Sequence, residues 1–268
     1  MGYTTNGDVR LHWNERGSGT PLLLIMGHAF SSDMWYPAIP ALSERHRVIW
    51  FDNRGTGLSD ATRRATISDL AADARAVLNA AAVDKAHVYG VSMGGGVALQ
   101  LAYESPDRVR SLVLGCTGFR SEDVPGKGAL GRLAYYLPLR LLRASFRKGL
   151  YGPACPTAAA ERDLDVLMKS KKSARGLLGQ VEAMRSYALE AERVAGLHTP
   201  ALVLHGDADT TVTLARGQSL AAALPNSRLI VYPGAGHSYH IAYQDKVNAD
   251  VLAFLQEADH SAVSASRT

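Results

Sequence analysis

The stretch Gly90-Val91-Ser92-Met93-Gly94 decides how the rest of the chain is read. It follows the apolar run Ala86 to Tyr89 and opens the small-residue segment Gly94 to Tyr103, an order of strand, sharp turn and helix. A serine in such a turn takes a strained backbone conformation, with its hydroxyl exposed above a sheet, only if strand and helix approach closely. Gly90, Gly94, Gly95 and Gly96 supply that room. Alone, the five residues also describe a glycine-rich turn that happens to hold a serine. The flanking chain has to choose between the two.

Upstream, Asn6-Gly7 favours a type I′ hairpin, with Val9, Leu11 and Trp13 alternating along the strand that follows. Leu22 to Met26 is a continuous apolar run, as in a strand buried on both faces, and it ends in Gly27-His28-Ala29-Phe30. A helical patch, Trp35 to Leu42, separates it from a second buried strand, Val48 to Phe51. The turn-rich Asp52-Asn53-Arg54-Gly55-Thr56-Gly57 comes next, and Thr66 with Asp69 forms a capping box ahead of an amphipathic helix.

Downstream, Val109 to Gly115 reads as another buried strand. Strand-like runs then vanish between Phe119 and Gly196, where three helical patches can be drawn. The first holds Leu130, Leu133, Leu137 and Leu141 with Pro138 as a kink; the second holds Leu164, Leu167 and Met168; the third holds Leu177, Val181, Met184 and Ala188. Alternation resumes with Ala201 to His205 and Leu229 to Tyr232 as strands, and Leu214 to Leu224 and Val247 to Leu255 as helices. The fold class is therefore α/β, with a mainly parallel sheet covered by helices on both faces. Residues 1–118 and 197–259 form the core, 119–196 a helical insertion, and 260–268 a polar tail expected to be disordered.

Composition narrows the function. The 268 residues are 47% hydrophobic and 20% charged, values of a globular chain. No apolar run is long enough to span a membrane, the first ten residues are too polar for a signal peptide, and a cytoplasmic location is expected. Cys116 and Cys155 lack metal-ligand spacing and read as structural thiols. The net charge of +4 is local: the insertion holds fourteen Lys or Arg against eight Asp or Glu, so it carries +6 and the remainder −2. No nucleic-acid motif or aromatic interleaving accompanies that charge, and a solvated helix face is the plainer reading.

A serine is a poor nucleophile without a base and a group that orients the base. Loops suited to both follow the two late strands: His205-Gly206-Asp207-Ala208-Asp209 and Gly234-Ala235-Gly236-His237. With those loops, Gly27-His28, Asp52-Asn53-Arg54-Gly55-Thr56-Gly57-Leu58-Ser59 and the run Gly90 to Gly96, the chain resembles the α/β-hydrolase superfamily over essentially its whole core. The details look most like the small esterase, enol-lactonase and cofactor-free haloperoxidase or perhydrolase group. Serine at position 92 speaks against dehalogenases and epoxide hydrolases, which carry aspartate there.

The resemblance implies Ser92 as nucleophile, His237 as general base and acid, and Asp209 as the acid that fixes the imidazole. Asp207 competes with Asp209, but the family spacing of three residues after glycine favours Asp209, which leaves Asp207 as a turn former. Thr213 stands where relatives commonly carry proline and is placed to cap the next helix. The oxyanion donors are the Met93 amide and, by resemblance, the amide of His28, with Met26 replacing the family's histidine. The His28 side chain can touch substrate or bond the adjacent loop; His240 reads as a rim histidine. Trp35, Tyr135, Tyr136 and Tyr239 are candidates for the pocket wall, with ordinary packing as the plainer alternative. Arg54 and Asp52 organise their loop.

The expected activity is cleavage of a small carboxylic ester or lactone through an acyl-enzyme, with no metal or cofactor and the insertion serving as a lid. Its basic surplus suggests a preference for anionic acyl groups. Carbon-carbon cleavage of a dione, thioester hydrolysis, perhydrolysis, or a receptor role with vestigial chemistry stay open on the same residues. The partner is a small molecule, with neither nucleic acid nor membrane, and a homodimer is left open.

Overall fold

Leu22-Leu23-Leu24-Ile25 is apolar at every position because its strand is covered on both faces. Leu22 and Leu24 pack with Val113, Leu202 and Val251, whereas Leu23 and Ile25 pack with Leu70, Val77 and Val97. The structure, a computed structural model, describes residues 1–119 and 136–265. Its eight strands are β1 (Gly2–Asn6), β2 (Val9–Arg16), β3 (Thr20–Ile25), β4 (His46–Phe51), β5 (Ala86–Val91), β6 (Val109–Gly115), β7 (Ala201–Gly206) and β8 (Ser227–Tyr232). They form one sheet in the order β1-β2-β4-β3-β5-β6-β7-β8, antiparallel at β1, β2 and β4 and parallel from β4 onward.

The hairpin turns one residue later than Asn6-Gly7. Asn6 pairs with Val9, so the loop is Gly7-Asp8, and Gly7 alone has positive φ, at 57°. That is the placement of a type II′ turn. Short helix α1 (Ile39–Leu42) and a 3₁₀ turn, Ser32–Trp35, replace the single helical patch between β3 and β4; Pro37 lies between them, and Pro40 sits in the first turn of α1. Helix α2 (Ile67–Ala80) begins with the capping box, both halves formed by Thr66 and Asp69. It packs beside α3 (Met93–Glu104) on one face of the sheet.

Between β6 and β7 the described residues form α4 (Leu139–Leu150), α5 (Thr157–Lys169), α6 (Ala174–Arg185) and α7 (Ala191–Ala195). Pro138 is the N-cap of α4 and not a kink within a longer helix. Ala188 lies beyond the end of α6, and Leu130, Leu133 and Tyr135 lie outside the described residues. After β7 come α8 (Leu214–Ala223), then β8, α9 (Tyr239–Ala242) and α10 (Gln244–Ala265). Helix α10 continues through His260 to Ala265, so the expected disordered tail is helical over those residues. Among the described residues no helix is long and apolar enough to cross a membrane.

The parallel strands deliver their carboxyl ends to one edge of the sheet, and among the described residues three of the four non-glycine positions with positive φ lie there, the fourth being Ala82 ahead of β5. Ala29, Ser92 and Cys116, each within four residues of a strand end, have φ of 69°, 56° and 44°. Such values are uncommon outside glycine and cost on the order of 1–3 kcal/mol each. Close packing holds the turn at Ser92: a Cβ on Gly90 would overlap the Gly94 carbonyl, and one on Gly94 would overlap the Ile25 carbonyl oxygen. Ser92→Gly removes the strain but adds unfolded-state entropy. It is expected to be about 1 kcal/mol more stable than Ser92→Ala in urea unfolding; equal or lower stability would show that the turn is unstrained.

Candidate active site

The serine turn is fastened to its neighbour strand. Ser92 N–H donates to the Gly115 carbonyl at 2.8 Å, and the Thr117 hydroxyl donates to the Ser92 carbonyl at 2.8 Å. Ser92 itself stands at the N-cap of α3, with φ 56° and ψ −121°. Met93 is the first residue of that helix, so its N–H has no intrahelical partner and forms part of the positive end of the helix dipole. Gly27 closes the other side of the turn, for a Cβ there would come within 3.2 Å of Ser92 Cβ.

The loops after β7 and β8 bring Asp209 and His237 together, with His237 Nδ1 at 2.7 Å from Asp209 Oδ2. The carboxylate is saturated: its Oδ1 accepts the Thr211 and Val212 amides at 2.7 and 2.9 Å. Burial works against its charge, but the His237 bond and those amides outweigh burial and hold its pKa below the ordinary carboxylate value. The acceptor also fixes the tautomer, with the proton on Nδ1 and Nε2 left as base. Asp207 is exposed and accepts the Gly234 amide at 2.6 Å, the bond of a turn former. Thr213 occupies the N-cap of α8 without a side-chain capping bond.

Ser92, Met93, His28 and His237 line one cavity of about 520 Å³. Its other walls are mainly apolar, with Phe30 and Met34 from the β3 loop, Val91, and Leu142, Phe146 and Leu177 from the segment between β6 and β7. Three of the aromatic expectations fail. Trp35 is fully buried edge-on to Tyr89, with ring centres 4.8 Å apart, because the 3₁₀ turn presents Met34 to the cavity and Trp35 to the core. Tyr239 is also core, stacked on Tyr232 and bonded to the Tyr89 hydroxyl at 2.8 Å. Tyr136 is 65% exposed, away from this cavity. Tyr135 lies outside the described residues. Phe30, Phe146 and Tyr187 supply the aromatic wall instead.

His240 is not a rim histidine. It lines the cavity, and burial, with His237 nearby, pushes its pKa down to about 4. His28 is also neutral near pH 7, its pKa lowered to about 4 chiefly by burial, with a further push from Lys172.

Gln180 on α6 is a residue that the sequence pattern did not signal. Fully buried, it donates Nε2–H to the Arg54 carbonyl at 2.9 Å. That leaves Oε1 as acceptor, and it takes both the Ala29 amide at 3.0 Å and His28 Nδ1–H at 2.9 Å. One side chain thus ties the left-handed Ala29, the His28 ring and the Arg54 loop to α6. A lone glutamine on an apolar helix face, beside Leu177, Val181 and Met184, was the available cue.

Arg54 and Asp52 hold their loop as expected. Arg54 forks onto buried Asp73, with Nε donating at 2.6 Å, while Asp52 accepts the Ser32 and Leu58 amides. Two groups could supply metal-ligand atoms. In the first, Cys116, His205 and Asp209, the oxygens of Asp209 are already bonded, His205 Nε2 donates to the Val212 carbonyl, and burial raises the Cys116 thiol pKa. The thiol form and filled acceptors suit a buttress for Asp209 better than a cation site. The second, His46, His87 and Asp259, joins residues near the amino ends of the strands, with Arg110 3.7 Å from the carboxylate.

Comparison with known proteins bears on the family and the fold. A family model for the alpha/beta hydrolase fold matches residues 20–145, and one described as TAP-like protein matches residues 181–265. A relative from Azorhizobium caulinodans, provisionally named carbamate hydrolase RutD, is 31% identical over 97% of this chain and 100% of its own length. A protein of Mycobacterium tuberculosis provisionally named non-heme bromoperoxidase BpoC is 31% identical over 92% of this chain and 97% of its own. The crystal structure of a hydrolase from Pseudomonas aeruginosa PA01 superposes with a TM-score of 0.84 at 28% identity, covering 95% of this chain and 97% of that one. With strand order, strained serine turn and full-length likeness in agreement, the chain belongs to the α/β-hydrolase superfamily.

Proposed function

We propose that this hydrolase cleaves a small carboxylic ester or lactone through an acyl-enzyme formed on Ser92. The observation that carries the reading is the Asp209–His237 pair, bonded at 2.7 Å, opening onto the same cavity as the strained Ser92. In the acylation step His237 Nε2 takes the Ser92 proton while Oγ attacks the carbonyl carbon. The amides of Met93 and His28 hold the oxyanion, and losing one such donor costs on the order of 3 kcal/mol of transition-state stabilisation. The tetrahedral intermediate expels the alcohol, which leaves with the proton from His237. Water, deprotonated by the same imidazole, then releases the acid. Nucleophile, base and oxyanion donors are all protein groups, so the scheme calls on no metal or cofactor.

Residues 119–196 act as the lid in this reading. Their apolar side chains exclude water from the acyl-enzyme, and Gln180 holds the His28 loop in the conformation that aims its amide at the oxyanion. The RutD-named relative suggests a second reading, attack on a carbamate carbonyl, which the same groups perform with a different leaving group. A panel of p-nitrophenyl esters of graded chain length, lactones, thioesters and carbamates separates the classes by kcat/KM.

Two sets of variants test the roles. Asp209→Asn is expected to lower kcat by about 10⁴-fold, as loss of tautomer control does in comparable triads. Asp207→Asn should stay within about fivefold of wild type, since its turn bond lies outside the reaction; equal losses would show that the acid has been misassigned. Gln180→Leu is expected to lower kcat by roughly 10- to 100-fold with KM nearly unchanged. A rise in KM with kcat intact would place Gln180 in ground-state binding and remove it from the oxyanion loop.

A further inference from the structure

The positive charge of the segment between β6 and β7 is not spent evenly. Arg143 and Arg147 both pair with Glu161, Arg143 also reaches Asp165, and Arg193 pairs with Glu190, all on outward surfaces. Lys172 is placed differently. Alone among the described cations of that segment, it lines the Ser92 cavity, and its charge is felt at the His28 ring.

The backbone makes that position firm. Lys172 forms an antiparallel bridge with Thr56; Gly57 N–H donates to the Lys171 carbonyl at 2.9 Å, and Ser173 N–H to the Gly55 carbonyl at 3.1 Å. Gly55 and Gly176 then meet so closely that a Cβ on either would overlap the other's backbone. The loop after β4 and the start of α6 are therefore zipped together with Lys172 between them.

Among the described residues no Asp or Glu forms an ion pair with Lys172, and burial alone accounts for its lowered pKa. The cavity it shares is walled mainly by apolar side chains, among them Phe30, Leu142, Phe146 and Leu177, and Arg216 on α8 is the other cation among its described lining. A half-buried cation gives up part of its hydration, and that cost is recovered when a ligand brings the opposite charge. An extended chain of methylenes ending in a carboxylate would satisfy both the apolar wall and the ammonium.

We propose that Lys172 anchors a free carboxylate of the substrate, so that the cavity selects esters or lactones that carry a second, ionised acid group a few bonds from the reacting carbonyl. The proposal rests on the serine-hydrolase reading for the reacting bond, but the anchor itself is a binding claim. It also gives the basic surplus of the segment a specific carrier, in place of a diffuse attraction.

Mono-p-nitrophenyl glutarate and its methyl ester form a matched anionic and neutral pair. Wild type is expected to favour the anionic ester by about tenfold or more in kcat/KM, mainly through KM, with the preference shrinking as salt rises. Lys172→Met should abolish the preference and Lys172→Arg should keep most of it. The melting temperature of Lys172→Met should not fall, because the change removes a half-buried charge that has no acidic partner among the described residues, whereas a merely structural lysine would lower it. A wild type that turns over both esters equally, or a preference that survives in Lys172→Met, overturns the anchor and leaves the hydrolase reading intact. If the folded wild type hydrolyses neither ester, the hydrolase reading fails, and calorimetric titration with 4-phenylbutyrate and 4-phenylbutyramide decides the anchor. Tighter binding of the carboxylate, lost in Lys172→Met, upholds it; equal binding, or a preference retained in the variant, overturns it.

Discussion

The structure depends on backbone strain concentrated at three strand ends. Ala29, Ser92 and Cys116 take left-handed or related conformations that disfavour any residue with a Cβ, and each follows a central strand of the parallel part of the sheet. Such strain persists only where the surroundings over-determine it. Here the surroundings are glycines that admit backbone against backbone at Gly90 and Gly94, the Gly115 and Thr117 bonds to Ser92, and the Gln180 carbonyl under Ala29. Together the three conformations store a few kcal/mol, a notable share of the net stability of a single domain. What the strain secures is position: a serine standing above the sheet, an amide loop facing it, and a buried thiol behind Asp209.

Charge is distributed to match. Asp209 is kept ionised by three groups, the His237 ring and the Thr211 and Val212 amides, in spite of burial, while His28 and His240 are kept neutral on the cavity wall. In the reaction proposed above, neutral imidazoles would leave the developing oxyanion and imidazolium as the main changing charges, with the fixed amides acting in a medium of low polarity. Two cations stand beside this site, Arg216 on α8 and Lys172, the latter an ammonium whose backbone is bonded to the loop after β4. The segment between β6 and β7 thus contributes an apolar wall, one cation and, through Gln180, the posture of a loop that belongs to the core.

Much of this was legible in the sequence because the cues were local. Period-free apolar runs mark strands buried on both faces, the Thr66–Asp69 pair marks a helix start, and Gly90 to Gly96 marks a close strand-helix contact. The two loops that hold Asp209 and His237 were legible from their places after late strands, the choice of Asp209 over Asp207 came from the family resemblance, and the structure brings Asp209 and His237 together. The cavity wall was not legible. Trp35 and Met34 are neighbours on one short turn, and Tyr239 and His240 on another, yet only one of each pair faces the cavity. Which one does so is set by a register of a single residue, and no periodicity exists over so few residues to fix it. Gln180 and Lys172 escaped notice for a related reason. Their meaning lies in contacts with Ala29 and Thr56, more than a hundred residues away in the chain.

The central claim is that strain and packing have made Ser92 a nucleophile served by His237. Reaction of the folded protein with a fluorophosphonate, followed by peptide mass analysis, tests it most directly. The account predicts a single adduct on Ser92 in the wild type and none at comparable rate in His237→Ala. A folded wild type that leaves Ser92 unmodified, or an adduct that forms equally well without His237, would contradict it.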